Sequence, residues 1–182
     1  MFFDVGAHVG LISCQVAAAR PAVVIHGFEP HPRVAAMFRT NAELNGYSAV
    51  LVEAAASDSD GHVVFNLDSH AIGRGDTSVP SLRLDDYIAT HAIDHVDVMK
   101  LDVEGHEREV LDGARRSLAS GVIRAVTMES MAAHGKDVNA PAQIIESLGF
   151  TRRPMPDIRP AWVRRLRYHL PANVAYVRST SD

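Results

Sequence analysis

Asp4, Gly6 and Gly10, in the run Phe2-Phe3-Asp4-Val5-Gly6-Ala7-His8-Val9-Gly10, lie where an apolar segment passes into a small-residue turn. Glu29 follows about twenty residues later, closing the next apolar run. Glycines remove side chains where a backbone must turn sharply and come close to a ligand. A carboxylate at the position of Glu29 can accept hydrogen bonds from both hydroxyls of a ribose. Asp4 stands where it holds either the loop or a ligand ammonium. The spacing is Asp-x-Gly-x-x-x-Gly, not the Gly-x-Gly-x-x-Gly that wraps a pyrophosphate. It favours a nucleoside-type cofactor without phosphate. Further along, Ala56-Ser57-Asp58 falls where an adenine ring lies in such sites, and Asp58 can accept from its exocyclic amine. An isolated Asp in a turn otherwise caps the backbone.

A second group of ionisable residues is Lys100-Leu101-Asp102-Val103-Glu104-Gly105-His106-Glu107. Asp102 and Glu104 leave a strand just before a helix, so both can point into a cleft beside the cofactor. Glu107 reads as a first-turn acid that offsets the helix dipole. His106 is either a general base with a pKa near neutrality or an ordinary histidine at a helix start. Glu129, at the end of the following strand, adds a third acid on the substrate side, where like charges perturb at least one pKa. A metal held by Asp102, Glu104 and Glu129 ranks below a metal-free site, because nothing in the spacing demands a cation.

These groups need a sheet edge to bring them together. Short apolar runs rich in β-branched and aromatic residues predict strands at 1–5, 22–28, 49–53, 96–101, 122–128 and 173–178. Helical spacing predicts helices at Leu11–Ala19, 33–44, Leu84–Thr90, 106–118 and 140–148. Residues 62–67 read as an extra extended segment, and 68–80 as a glycine-containing loop bordering the substrate site. Strands alternating with helices imply a mostly parallel sheet covered on both faces, a three-layer α/β fold.

The chain has 182 residues, 47% of them apolar, enough for one domain with a substantial core. No linker or repeat marks a second domain. The formal net charge of −4 gives no general attraction to nucleic acid or an acidic membrane surface. No apolar run approaches a membrane span, and the start lacks a basic segment followed by a hydrophobic one. The single Cys14 fits a reducing compartment, so the expected location is cytoplasmic. The arginine-rich C-terminal third, around Trp162 and Tyr168, reads first as a solvated face and second as a grip on an anionic substrate.

Taken together, the motifs resemble the FkbM-type family of class I S-adenosylmethionine-dependent methyltransferases. The matching residues are 3–10, Phe28-Glu29-Pro30, Asn41, Leu44-Asn45, Ala55-Ala56-Ser57-Asp58 with Gly61, Leu84-Asp85-Asp86, and 100–107 followed by Val110-Leu111 and Gly113-Ala114. The resemblance implies a Rossmann-like fold with a reversed final strand, forming a single methyltransferase domain over residues 1–182 without the helices that usually precede the first strand. It implies S-adenosyl-L-methionine as cofactor, with Asp4, Gly6 and Gly10 around its methionyl end, Glu29 on the ribose, Ala56 and Asp58 beside the adenine, and Asp102 near the methyl-transfer centre. The implied activity is O-methylation of a hydroxyl on a sugar or secondary metabolite, with a small-molecule or glycan acceptor. The candidate bases are His106, then Glu104 and Asp102. Two rivals remain: a non-catalytic module that kept the fold, and a nicotinamide-dependent oxidoreductase, which should carry the pyrophosphate spacing absent here. Homo-oligomer formation is left open.

Overall fold

Strand β1 (Phe2–Val5) is buried along its whole length. A strand in the middle of a parallel sheet is covered on both faces, so it reads as a near-continuous apolar run, interrupted here by the buried Asp4. β1 pairs in parallel with β2 (Ile25–Phe28) on one side and β7 (Val98–Leu101) on the other. The computed structural model describes residues 1–73, 75–130, 139–154 and 172–178. The remaining elements are α1 (Leu11–Ala19), α2 (Pro32–Leu44), β3 (Val50–Val52), β4 (Ala55–Ala56), β5 (Gly61–Phe65), β6 (Thr77–Leu82), α3 (Leu84–Thr90), α4 (Glu107–Gly113), α5 (Arg115–Ser120), β8 (Ala125–Ser130), α6 (Asn139–Ser147), β9 (Phe150–Pro154) and β10 (Ala172–Arg178).

Seven strands form the main sheet in the order β3-β2-β1-β7-β8-β10-β9. β10 runs antiparallel to both β8 and β9, while every other pairing in this sheet is parallel. This is a mostly parallel α/β sheet with a reversed last strand. The chain first builds outward from β1 to β3, then returns to place β7 against the other side of β1. That reversal creates the crevice in which ligands of open α/β sheets bind.

The two faces of β1 feed different cores. Phe3 and Val5 join Met99, Leu101, Leu111, Leu118 and Ile145 in the larger cluster beneath α3–α6. Phe2 turns the other way, onto Ala17 of α1 and Ile25, while Phe38 and Ala42 of α2 pack with Ala7. α1 is short-chained on its buried side, where Ser13 and Ala17 allow close approach to the sheet. α2 starts where Pro32 occupies the first turn and the His31 ring nitrogen accepts from the Arg33 N–H at 3.2 Å.

Three departures from the sequence reading matter for the site. Residues 77–82, of which 77–80 read as the end of a loop, form β6, the middle of a small sheet ordered β4-β6-β5. Its alternation is real, with Val79 and Ser81 buried and Ser78 and Pro80 exposed, but a serine carries one of the inward positions. The Ser81 hydroxyl donates to the Ser59 carbonyl at 3.0 Å. Residues 106–118 form two helices, not one, breaking at Ala114 (φ −107°, ψ 7°). Phe150–Pro154, unassigned in the sequence, is β9, paired along its length with β10. Among the described residues, no helix is long and apolar enough to cross a membrane.

Candidate functional site

A cleft of about 460 Å³ opens at the carboxyl ends of β1 and β7. Its walls include Gly6–Val9, Phe28–Pro30, Ala55, Ala56, Phe65, His70, Ile72, Lys100 and Asp102–Glu104. Its size suits a nucleoside–amino-acid ligand. Gly6 has φ +74°, and a β-carbon there would lie 1.8 Å from the Asp102 carbonyl oxygen, so the β1–α1 and β7–α4 loops touch backbone to backbone. Gly10 has φ +80°, and a β-carbon would meet the Phe38 ring at 2.7 Å. Both positions demand glycine for reasons of space as well as conformation.

The glycine loop is tied down by side chains from other elements. Lys100 Nζ donates to the Gly6 carbonyl at 2.8 Å, and Asn41 Nδ2 to the Val9 carbonyl at 2.8 Å. The Tyr47 hydroxyl donates to the Gly10 carbonyl at 3.4 Å; burial, with the Cys14 and Asp4 charges behind it, pushes this phenol up to about 12 and keeps it a donor. Asp4 is fully buried and accepts from the Ser13 hydroxyl at 2.7 Å. Its other oxygen has no aligned hydrogen bond but lies 3.1 Å from Lys100 Nζ. The parallel register places Asp4 directly opposite Lys100, which explains the pairing. Asp4 therefore sits beneath the loop, outside the cleft wall, with Ser13 and Lys100 as its partners.

Glu29 is 4% exposed and lines the cleft. Its Oε2 accepts from the His8 N–H and its Oε1 from the His31 N–H, both at 2.9 Å. Two backbone donors from separate loops thus orient the carboxylate, and each oxygen keeps a further lone pair for a ligand. Ala56 lines the cleft with Phe28 and Pro30. Asp58 is exposed and takes the Ser57 and Ser59 hydroxyls at 3.3 and 3.1 Å, a turn-holding arrangement away from the cleft wall.

On the β7 side, Asp102 lines the cleft with its Oδ2 3.5 Å from Lys100 Nζ. Glu104 also lines it, from a left-handed backbone (φ +52°) uncommon for a non-glycine residue. Glu107 accepts from the Gly105 N–H at 2.9 Å, the capping role its position suggests. His106 immediately precedes α4 and is not part of the cleft wall; its Nε2 lies 3.0 Å from the Ser57 hydroxyl and its Nδ1 3.4 Å from Glu109. Glu129 falls in β8 opposite Asn173 of β10, and its side chain lies outside the described residues. Trp162, Tyr168 and Arg159 of the basic C-terminal third also lie outside them.

Sequence reasoning assigned no role to Lys100, although a lysine inside a central parallel strand is itself a signal of a buried partner. It also gave no role to Phe65, His70 and Ile72, which reach the cleft from the small sheet and its loop. Of the 68–80 segment, read as bordering a substrate site, Ser69, His70 and Ile72 line this cleft.

Residues 4–168 match the family described as the Methyltransferase FkbM domain. Over 127 residues the chain is 25% identical to the hexuronic acid methyltransferase AglP of Haloferax volcanii, covering 66% of this chain and 52% of that protein. Over 147 residues it is 26% identical to the 2-O-methyltransferase NoeI of Sinorhizobium fredii, covering 65% of this chain and 58% of that protein. The chain thus spans only about half the length of these curated relatives. The fold is shared with the crystal structure of methyltransferase FkbM from Methylobacillus flagellatus KT, at a TM-score of 0.67 and 16% identity, covering 97% of this chain and 42% of that one. A glycine loop at the sheet's switch point, an oriented Glu29 and the acids after β7 are thus set in a chain that belongs to the FkbM methyltransferase domain family.

Proposed function

We propose that this chain is an S-adenosylmethionine-dependent O-methyltransferase acting on a sugar hydroxyl. The observation that carries the reading is Glu29, fixed by two backbone N–H groups beside a loop in which Gly6 has no room for a side chain. The names of the two curated relatives, one for hexuronic acid and one for 2-O-methylation, support a sugar acceptor.

Glu29 would hold the ribose hydroxyls through its remaining lone pairs, and Phe28, Pro30 and Ala56 would pack beside the base. Gly6 would bring its backbone close to the amino-acid end, with Lys100 and Asp4 stiffening the loop from below. Bound there, S-adenosylmethionine supplies an electrophilic methyl group on a sulfonium. In-line displacement asks the protein mainly to align an acceptor oxygen and exclude water. Leu11, Ile12 and Val103 give the cleft an apolar rim suited to that exclusion. A sugar hydroxyl is weakly acidic, so its proton needs a receiver. Glu104 takes that role ahead of His106, because Glu104 lines the cleft and the His106 ring bonds to Ser57 outside it. Asp102, held near Lys100, would position the acceptor. The half-exposed Cys14 thiol supports a reducing, cytoplasmic setting.

Titration calorimetry with S-adenosylmethionine, S-adenosylhomocysteine and NAD tests the cofactor. Binding of the first two and not NAD is expected, and selective NAD binding overturns the reading. Transfer of labelled methyl to a panel of hexuronic acids and hexoses then tests the acceptor. Cofactor binding without transfer to any sugar overturns the sugar methyltransferase assignment in favour of a binding module.

A further inference from the structure

Three imidazoles from three separate loops come together, with His70 packed on the other two. His8 comes from the β1–α1 loop, His31 from the β2–α2 loop and His70 from the β5–β6 connection. The His70 ring centroid lies 5.2 Å from that of His8 and 5.1 Å from that of His31, with Phe65 6.4 Å away. His8 and His31 are the residues whose N–H groups hold the two Glu29 oxygens. Among the described residues, no three of His, Cys, Asp and Glu are placed to hold a metal ion, so ring packing and not coordination assembles this group.

The connection that carries His70 is internally built. Asn66 Oδ1 accepts from the Asp68 and Ser69 N–H groups at 2.9 and 2.8 Å, the Asn66 N–H donates to the Ala71 carbonyl at 2.9 Å, and the Gly73 N–H to Val64 at 2.8 Å. These bonds leave His70 in a left-handed conformation, φ +57°. That conformation is uncommon for a residue with a β-carbon, and His70, half-buried, lines the cleft. His31, by contrast, is buried and caps α2.

We infer that His70 is a ligand-binding residue, whose ring face closes the nucleoside end of the cleft opposite Glu29. The inference rests on the cofactor reading above. With Phe65 and Ile72 it would make the small β4-β6-β5 sheet the outer wall of the base pocket, facing Phe28, Pro30 and Ala56. A planar heterocycle packed against a ring gains most from its face, and this gain tolerates exchange of one ring for another.

Calorimetry on the full chain, with S-adenosylhomocysteine and with methylthioadenosine, which lacks the amino-acid end, tests it. His70→Ala should raise the Kd of both by the same factor, about tenfold, because the lost contact is to the shared nucleoside. His70→Phe should stay within about threefold of the parent chain, since it keeps the ring face. An Ala variant that binds both ligands like the parent overturns the His70 role and leaves the cofactor reading standing. A Phe variant as weak as the Ala variant overturns the ring-face role. If the parent chain binds neither ligand, the cofactor reading falls and the His70 role with it.

Discussion

At the scale of single residues, Glu29 has two tasks that one substitution separates from the rest of the site. Glu29→Ala removes the acceptor of the His8 and His31 N–H groups as well as the proposed ribose contacts. A buried donor left unmade costs about 1–3 kcal/mol. The variant should bind S-adenosylhomocysteine at least about tenfold more weakly and also unfold at lower denaturant. Unchanged affinity by calorimetry would refute the ribose assignment. The base assignment divides two neighbours in sequence. Glu104→Gln should lower kcat by about a hundredfold or more while cofactor affinity changes little. His106→Ala should leave kcat within about threefold, because the imidazole borders Ser57 and not the cleft. Steady-state kinetics showing the reverse order would return the proton to His106.

At the scale of elements, α4 ends at Gly113 and the start of α5 is held by a residue about thirty positions away in the chain. Asp85, on α3, accepts from the Arg116 and Ser117 N–H groups at 2.9 and 2.8 Å and from the Ser117 hydroxyl at 2.6 Å. It thereby caps the start of α5, with Arg116 Nε 3.3 Å away. Burial pushes the Asp85 carboxyl up, but the Ser117 hydroxyl, the two N–H groups and the guanidinium outweigh it, and the group is held below its ordinary 3.8. A carboxyl with a lowered folded pKa stabilises the fold above its unfolded value. That stabilisation is lost as the pH falls from 3.8 through the lower folded value. Asp85→Asn should cost about 1–3 kcal/mol near neutral pH and flatten the acid limb of the stability curve. Urea midpoints of parent and variant across the acid range check this, and parallel curves would remove the cap from the account.

At the scale of the molecule, His26 sits where the sheet meets the helical layer. Its Nδ1 lies 2.7 Å from the Tyr87 hydroxyl, and its ring packs on Phe3. Burial first, then the charge of His91, lowers its pKa from 6.5. The folded chain keeps this imidazole neutral where the unfolded chain takes up a proton. Its contribution is therefore complete above 6.5 and falls away as the pH drops below that value. Unfolding midpoints should be lower at about pH 5.5 than at about pH 7.5, and His26→Gln should remove part of that slope. An identical slope in the variant would assign the acid sensitivity elsewhere.

Much of the architecture was legible in residue order. The apolar runs at Phe2–Val5 and Ile25–Phe28, and the small-residue spacing of Leu11–Ala19, announce themselves because a fully buried parallel strand and a closely packed helix leave local patterns. The glycine loop, Glu29, Asp102 and Glu104 were legible as strand-end residues for the same reason. Thr77–Leu82 was hidden because Pro80 and inward-facing Ser81 break the expected alternation. The 106–118 segment reads as continuous because its apolar stripe runs through Gly113, where α4 ends, and the cap that Asp85 gives α5 is invisible in local sequence. Tertiary structure alone decided that Asp4 meets Lys100, that Glu104 and not His106 borders the cleft, and that His70 packs on His8 and His31. Each of these depends on strand register or on how a loop closes across tens of residues. A periodicity of two or of about three and a half residues carries no information on either.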